Sequence, residues 1–129
     1  MNELIEAAKQ AREKAYVPYS HFKVGAAVRA GDVIFTGCNI ENASYGLAMC
    51  AERTAIFKAV SAGHLRLDAI AIIGDTTGPI SPCGACRQVM AEFFAPEAPV
   101  TLTNLTGAQT DTTVAALLPG AFTKGDMQK

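Results

Sequence analysis

Cys50, Glu52, Cys83 and Cys86 have the types and spacings that suit metal-assisted hydrolysis. Cys83 and Cys86 stand three residues apart, in Pro82-Cys83-Gly84-Ala85-Cys86, at the predicted start of a helix. That spacing puts both sulfurs on one helix face, and the unpaired N–H groups of a helix start favour thiolate over thiol. Cys50 opens a second predicted helix, so its sulfur gains the same help. Three thiolates fill three of the four tetrahedral positions of a zinc ion. The fourth is left for water, as a catalytic site requires and a structural site does not. Zinc lowers the pKa of that water and makes hydroxide available near neutral pH. The soft all-sulfur set points to zinc, one ion per chain, and nothing else in the sequence suggests redox chemistry. Glu52, two residues past Cys50, is too close in sequence to be a comfortable fourth ligand. It is near enough to take a proton from the water and deliver it elsewhere.

Other readings of the cysteines explain less. A redox pair at Cys83 and Cys86 leaves Cys50 and Glu52 without a role. A closed four-sulfur site needs Cys38, which sits at the end of a predicted strand with no close partner spacing. Single buried cysteines are common and inert, but three at two helix starts, one of them after a proline, form a pattern.

The elements that must position these groups follow from periodicity. Leu4, Ile5, Ala8, Ala11 and Ala15 predict an amphipathic helix over residues 2–15, ended before Pro18. Val24–Ala30 and Val33–Thr36, joined by Gly31-Asp32, predict a hairpin. Residues 39–47 predict a loop, and residues 50–62 a helix closed by Gly63. The apolar run Leu67–Ile73 predicts a strand buried on both faces. A helix over 84–94, a strand over 100–105 and a short helix over 114–118 complete the order. Strands alternating with helices imply one α/β domain over residues 1–129, its sheet at least partly parallel. Lys124–Lys129 carry no pattern that assigns a role, and disorder is expected there.

Composition narrows the setting. The 129 residues are half hydrophobic and 18% charged, as in a compact globular chain. Eleven basic residues against twelve acidic leave a formal charge of −1, which argues against binding a nucleic acid polymer. No apolar run approaches the roughly 18–20 residues that span a bilayer. The acidic N-terminus does not resemble a signal peptide. A cytoplasmic protein that does not bind membranes is expected, and four cysteines in a reducing compartment are not a disulfide framework.

Cys50-Ala51-Glu52-Arg53-Thr54-Ala55 followed by Pro82-Cys83-Gly84-Ala85-Cys86-Arg87-Gln88 resembles the cytidine deaminases of the small homotetrameric type. The arrangement also matches the general signature of zinc nucleobase deaminases. The resemblance runs from Tyr19-Ser20-His21-Phe22-Lys23-Val24-Gly25-Ala26-Ala27 to Leu117-Leu118-Pro119-Gly120-Ala121-Phe122. It implies a three-layer α-β-α fold with a central mixed sheet of about five strands, zinc on the three cysteines, and Glu52 as acid and base. The implied reaction is hydrolysis of cytidine and 2′-deoxycytidine to the uridine forms and ammonia, a step of pyrimidine salvage.

The same resemblance assigns the substrate contacts. Asn39 and Glu41 end the hairpin, and strand alternation puts them on one side. By chemistry alone an ordinary polar loop is the better reading, but the resemblance makes this the ribose-binding segment and the substrate a nucleoside. Phe22, by itself more often a core aromatic, is implied to lie against the pyrimidine, with Ala51 offering its backbone to the base. Tyr45 and Phe122 match positions that reach a neighbouring subunit's site, so a homotetramer with composite pockets is implied. Packing explains Phe122 equally well. Arg53 has a physical case of its own. Three thiolates and a hydroxide leave zinc with net negative charge, and a guanidinium one turn away can hydrogen-bond the sulfurs and withdraw charge. Arg87 is a weaker candidate for that role.

The rival readings are a blasticidin-type nucleoside deaminase, a polynucleotide deaminase and a non-catalytic zinc module. Asn39, Glu41 and Phe122 favour plain cytidine over the first. The near-neutral charge and Cys50 in place of histidine disfavour the second.

Overall fold

The structure, a computed structural model, describes residues 1–127. Helix α1 (Asn2–Arg12) leads into strands β1 (Val24–Ala30) and β2 (Val33–Cys38). A 3-10 turn at Tyr45–Leu47 precedes α2 (Ala51–Ser61), β3 (Ala69–Gly74), α3 (Gly84–Phe93) and β4 (Pro99–Asn104). Strand β5 (Gln109–Thr113) and the short helices α4 (Val114–Leu117) and α5 (Lys124–Met127) follow.

The strands form one sheet in the order β2-β1-β3-β4-β5. The β3–β4 pair is parallel and bridged by α3, while the other three pairings are antiparallel. Side-chain alternation sorts the sheet into two faces. Ala26, Val28, Ile70, Ile72, Val100 and Leu102 pack with Ile56 and Ala59 of α2 and Cys86 and Met90 of α3. Ala27, Ala71 and Ile73 face the other way, onto Leu4 and Ala8 of α1. The three-layer mixed fold is therefore as expected.

A glycine lets the helix sit close on each face. A Cβ at Gly25 would fall 2.0 Å from the Ala8 carbonyl of α1, and one at Gly37 would fall 2.6 Å from the Ala51 carbonyl of α2. At Gly37 the first turn of α2 rests directly on β2, which fixes Cys50 and Glu52 at one end of the sheet.

Several boundaries differ from the sequence reading. Helix α1 stops short of residue 15 because the chain turns away to pair: the Tyr16 amide donates to the Asn39 carbonyl, and the Glu41 amide to that of Tyr16. Strand β5 had no predicted position. It is an exposed edge strand of polar residues with no apolar alternation, and only its threonines carried a β signal. Residues 124–127, expected to lack order, form α5, and residues 128–129 lie outside the described residues. Among the described residues no helix is long and apolar enough to cross a membrane.

Candidate metal centre and cleft

Cys50 and Cys83 are the N-cap residues of α2 and α3, both with extended backbone and neither using its side chain as a cap. Their sulfurs are thus free to turn towards each other, beside the unpaired N–H groups of two helix starts. Cys86 lies within the first turn of α3 and is fully buried. The three sulfurs lie within 4.8 Å of one another, Cys50 and Cys83 at 3.8 Å, Cys83 and Cys86 at 3.3 Å. Zn–S bonds of about 2.3 Å at tetrahedral angles would set sulfurs about 3.8 Å apart. The cluster therefore fits zinc with a small outward shift of one sulfur.

Electrostatics supports the same fit. The Cys50 thiol is pulled down to about 5, first by a hydrogen bond from Cys86 and further by Arg53 and Cys83. Cys86 is pushed up, chiefly by its hydrogen bond to the Cys50 sulfur and then by burial. Sulfurs this crowded cannot all ionise unless a cation lies between them. Arg53 Nη2 donates to Cys50 Sγ at 3.5 Å, and Arg53 Nε is buried without a partner. Among the described residues Arg53 forms no ion pair with an acid, so its charge is directed at sulfur.

Glu52 is 5% exposed. Burial pushes its carboxyl above the usual range, and the Cys50 charge pushes the same way, while hydrogen bonds from its own amide and from Cys86 oppose them. A carboxyl poised in this way can both hold and release a proton.

A cleft of about 400 Å³ brings together Cys50, Cys83, Glu52, Ala51, Phe22 and Asn39. Asn39 accepts from the Val24 amide at 2.9 Å and donates to the Phe22 carbonyl at 2.8 Å. It thereby fixes the backbone on both sides of the Phe22–Val24 stretch and keeps one N–H to spare. Glu41 lies elsewhere, in a neighbouring cavity of about 300 Å³ with Tyr19, Ser20, Tyr45 and Ala48. Alternation fails for the pair because β2 ends at Cys38, and Ile40 then bridges Tyr16 and Met49. The Glu41 carboxylate accepts from the Tyr19 amide at 3.0 Å, the Ser20 amide at 3.1 Å and the Ser20 hydroxyl. The Ser20 hydroxyl is the main cause that holds its carboxyl below the usual range.

Tyr45 and Phe122 are surface residues, 78% and 59% exposed. Phe122 lines neither cavity, and its carbonyl accepts from Gln88 Nε2 at 2.8 Å. Arg87 does not support the sulfurs: its guanidinium donates to the Pro82 and Leu117 carbonyls and to the Ser81 hydroxyl, tying the Cys83 loop to the end of α4. Sequence reasoning missed Thr76, Ile80 and Ser81, which with Val24 form the remaining wall of the cleft. Their only signal was the glycine and proline content of residues 74–82, which marks a loop and no chemistry.

The family model for the cytidine and deoxycytidylate deaminase zinc-binding region matches residues 1–102. A cytidine deaminase of Sporosarcina psychrophila is 59% identical over 128 residues, covering 98% of this chain and 94% of that protein. One from Halalkalibacterium halodurans is 58% identical over 125 residues, covering 96% and 95%. The crystal structure of cytidine deaminase from Burkholderia pseudomallei superposes with a TM-score of 0.91 at 59% identity, covering 94% of this chain and 98% of that one. A match of this extent, over the same residues that converge on the sulfur cluster, settles the kinship: the chain belongs to the zinc-binding cytidine and deoxycytidylate deaminase family.

Proposed function

We propose that this chain, as one catalytic domain, hydrolyses cytidine and 2′-deoxycytidine to uridine and 2′-deoxyuridine with release of ammonia. The carrying observation is the single cleft that joins the sulfur cluster, a buried carboxyl and an aromatic ring. Cys50, Cys83 and Cys86 would hold zinc, which when bound supplies Lewis-acid activation of water. Arg53 draws charge from the Cys50 sulfur and so offsets the excess negative charge of an all-thiolate site.

The proton work falls to Glu52. Its carboxylate takes a proton from the attacking water and delivers it to N3 of the ring as oxygen adds at C4. It then moves the proton of the new C4 hydroxyl to the amino nitrogen, and the C–N bond breaks to give ammonia and the uracil base. Phe22 packs against the ring, the Ala51 backbone meets its polar edge, and Asn39 and Glu41 face the sugar. Glu41 reaches it from the neighbouring cavity, while its own loop stays anchored on Ser20.

Tyr45 and Phe122 complete the site of an adjoining subunit in a homotetramer. Support comes from large apolar side chains left on the surface at Tyr45, Leu47 and Phe122. A cytoplasmic place in pyrimidine salvage suits a nucleoside substrate, and the near-neutral charge suits a small molecule over a polynucleotide. Loss of cytidine absorbance in the ultraviolet tests the reading, with deoxycytidine, cytosine and blasticidin S alongside. Turnover of the two nucleosides is expected. Preference for free cytosine or blasticidin S would overturn it.

A further inference from the structure

The wall of the cleft opposite the helix starts is an irregular segment, and its position is set from outside the site. Residues 75–81 connect the end of β3 to the Cys83 loop and contribute Thr76, Ile80 and Ser81 to the cleft. No helix or strand ladder holds them. Arg87 holds the far end of the segment at Ser81, and Asn104 holds the near end from the last position of β4, paired in register with Gly74 at the end of β3.

The Asn104 side chain is 3% exposed and has five partners. Its Nδ2 donates to the Thr76 carbonyl at 2.8 Å and the Thr77 carbonyl at 3.0 Å. Its Oδ1 accepts from the Thr106 amide and hydroxyl, each at 3.1 Å, and from the Ala108 amide at 2.9 Å. Carbonyls on one side and donors on the other fix the orientation of the amide. The next residue back adds a third tie, since the Ile80 amide donates to the Thr103 carbonyl at 3.3 Å. Beside these ties Gly74 leaves room: a Cβ there would meet Ile80 Cδ1 at 2.5 Å and the Phe22 ring at 3.4 Å. The apolar wall of the cleft thus rests on a glycine of β3 and hangs from an asparagine of β4.

We infer that Asn104 is a positioning residue which fixes the Thr76–Ser81 wall and thereby sets the affinity for substrate. The inference rests on the reading of this cleft as a nucleoside site. Asn104 touches neither the sulfur cluster nor Glu52, so its loss acts on binding and leaves the chemical step in place. A purely structural role, closing the β4–β5 turn through Oδ1, is the competing account.

Asn104→Asp separates the two. It keeps an oxygen for the Thr106 and Ala108 donors and replaces the N–H donors with an oxygen facing two carbonyls. Loss of one or both of these ties loosens the wall, and a rise in KM for cytidine of about tenfold is the expected reading. The expected result is that rise, with kcat within about threefold and zinc content unchanged. A KM within about twofold of the parent chain would overturn the inference and leave Asn104 as a turn residue. So would a fall in kcat that tracks loss of zinc. If the variant does not fold, Ile80→Ala probes the same wall without touching the Asn104 network. A several-fold rise in KM is then expected, and an unchanged KM would overturn the claim. The parent chain is assayed in parallel: absence of any cytidine turnover there would sink the functional reading itself, separately from the role of Asn104.

Discussion

At the sulfur end of the cleft every functional group hangs from a regular element. Cys50 and Cys83 cap two helices, Cys86, Glu52 and Arg53 sit in their first turns, and α2 is pressed onto β2 at Gly37. Outside the cleft, Glu41 and Tyr45 line the second cavity, on the stretch between β2 and α2 that contains the 3-10 turn, and Tyr45 is largely exposed. The first region is preorganised by packing that costs nothing further when substrate arrives. The second is held by isolated backbone bridges at Ile40 and Glu41 and by hydrogen bonds to the Glu41 carboxylate, and it presents aromatic surface outward. The chain therefore builds the sulfur end from its own packed helices, while in the proposed homotetramer the enclosure of its substrate would draw on a second copy.

The sharpest way to break this contrast is at Glu52. Glu52→Ala removes the proposed proton carrier but no sulfur, so turnover should fall by about 10²–10⁴-fold with zinc retained. Single-turnover kinetics with metal analysis checks it. Appreciable activity, or an empty metal site, would show that the two functions are not separable as argued. A smaller loss is expected at Arg53. Arg53→Gln keeps a donor and removes the charge, and about a tenfold loss in kcat or in zinc retention should follow. If neither moves, the charge of the all-sulfur site needs no relief from this side chain.

How much of this was legible in the sequence follows the same divide. Helical spacing converts directly into geometry, so Cys83 and Cys86 could be placed on one face, and Cys50 and Arg53 within a turn of each other. Loop geometry has no such period. Asn39 and Glu41 looked equivalent under strand alternation, yet β2 ends one residue before Asn39 and the two side chains line different cavities. Arg87 repeats the lesson from the other side. Its place beside Cys86 suggested a role toward sulfur, but its contacts go to Ser81, Pro82 and Leu117. The Thr76–Ser81 wall was invisible because its ties come from other elements: Asn104, over twenty residues away, holds the Thr76 and Thr77 carbonyls, and Arg87 holds Ser81.

The outward-facing aromatics sharpen the comparison by asking whose site they serve. Phe122→Ala should raise KM several-fold, roughly the effect of withdrawing one partly buried aromatic contact. Mixing distinguishes a composite pocket from a local one. Oligomers formed from Glu52→Ala chains and Phe122→Ala chains should contain sites with an intact Glu52 and a neighbour's intact Phe122. Such mixtures should recover a KM close to that of the parent chain, whereas a Phe122 that acts only within its own chain gives no recovery.

The smallest effect concerns the carboxylate that anchors the loop end. Glu41 is held below its ordinary value of 4.5, first by the Ser20 hydroxyl and also by the Ser20 and Tyr19 amides, with desolvation opposing them. A depressed folded value means that the anchoring is present above pH 4.5 and is lost as pH falls through the lower folded value. The Ser20 amide resonance reports this directly, since its donor contact weakens when the carboxylate takes a proton. Its titration midpoint should lie below 4.5, and Glu41→Gln should abolish the transition while leaving zinc content untouched. A midpoint at or above 4.5 would mean that the carboxylate is not what holds Tyr19 and Ser20 in place. The loop end would then need an anchor other than this carboxylate.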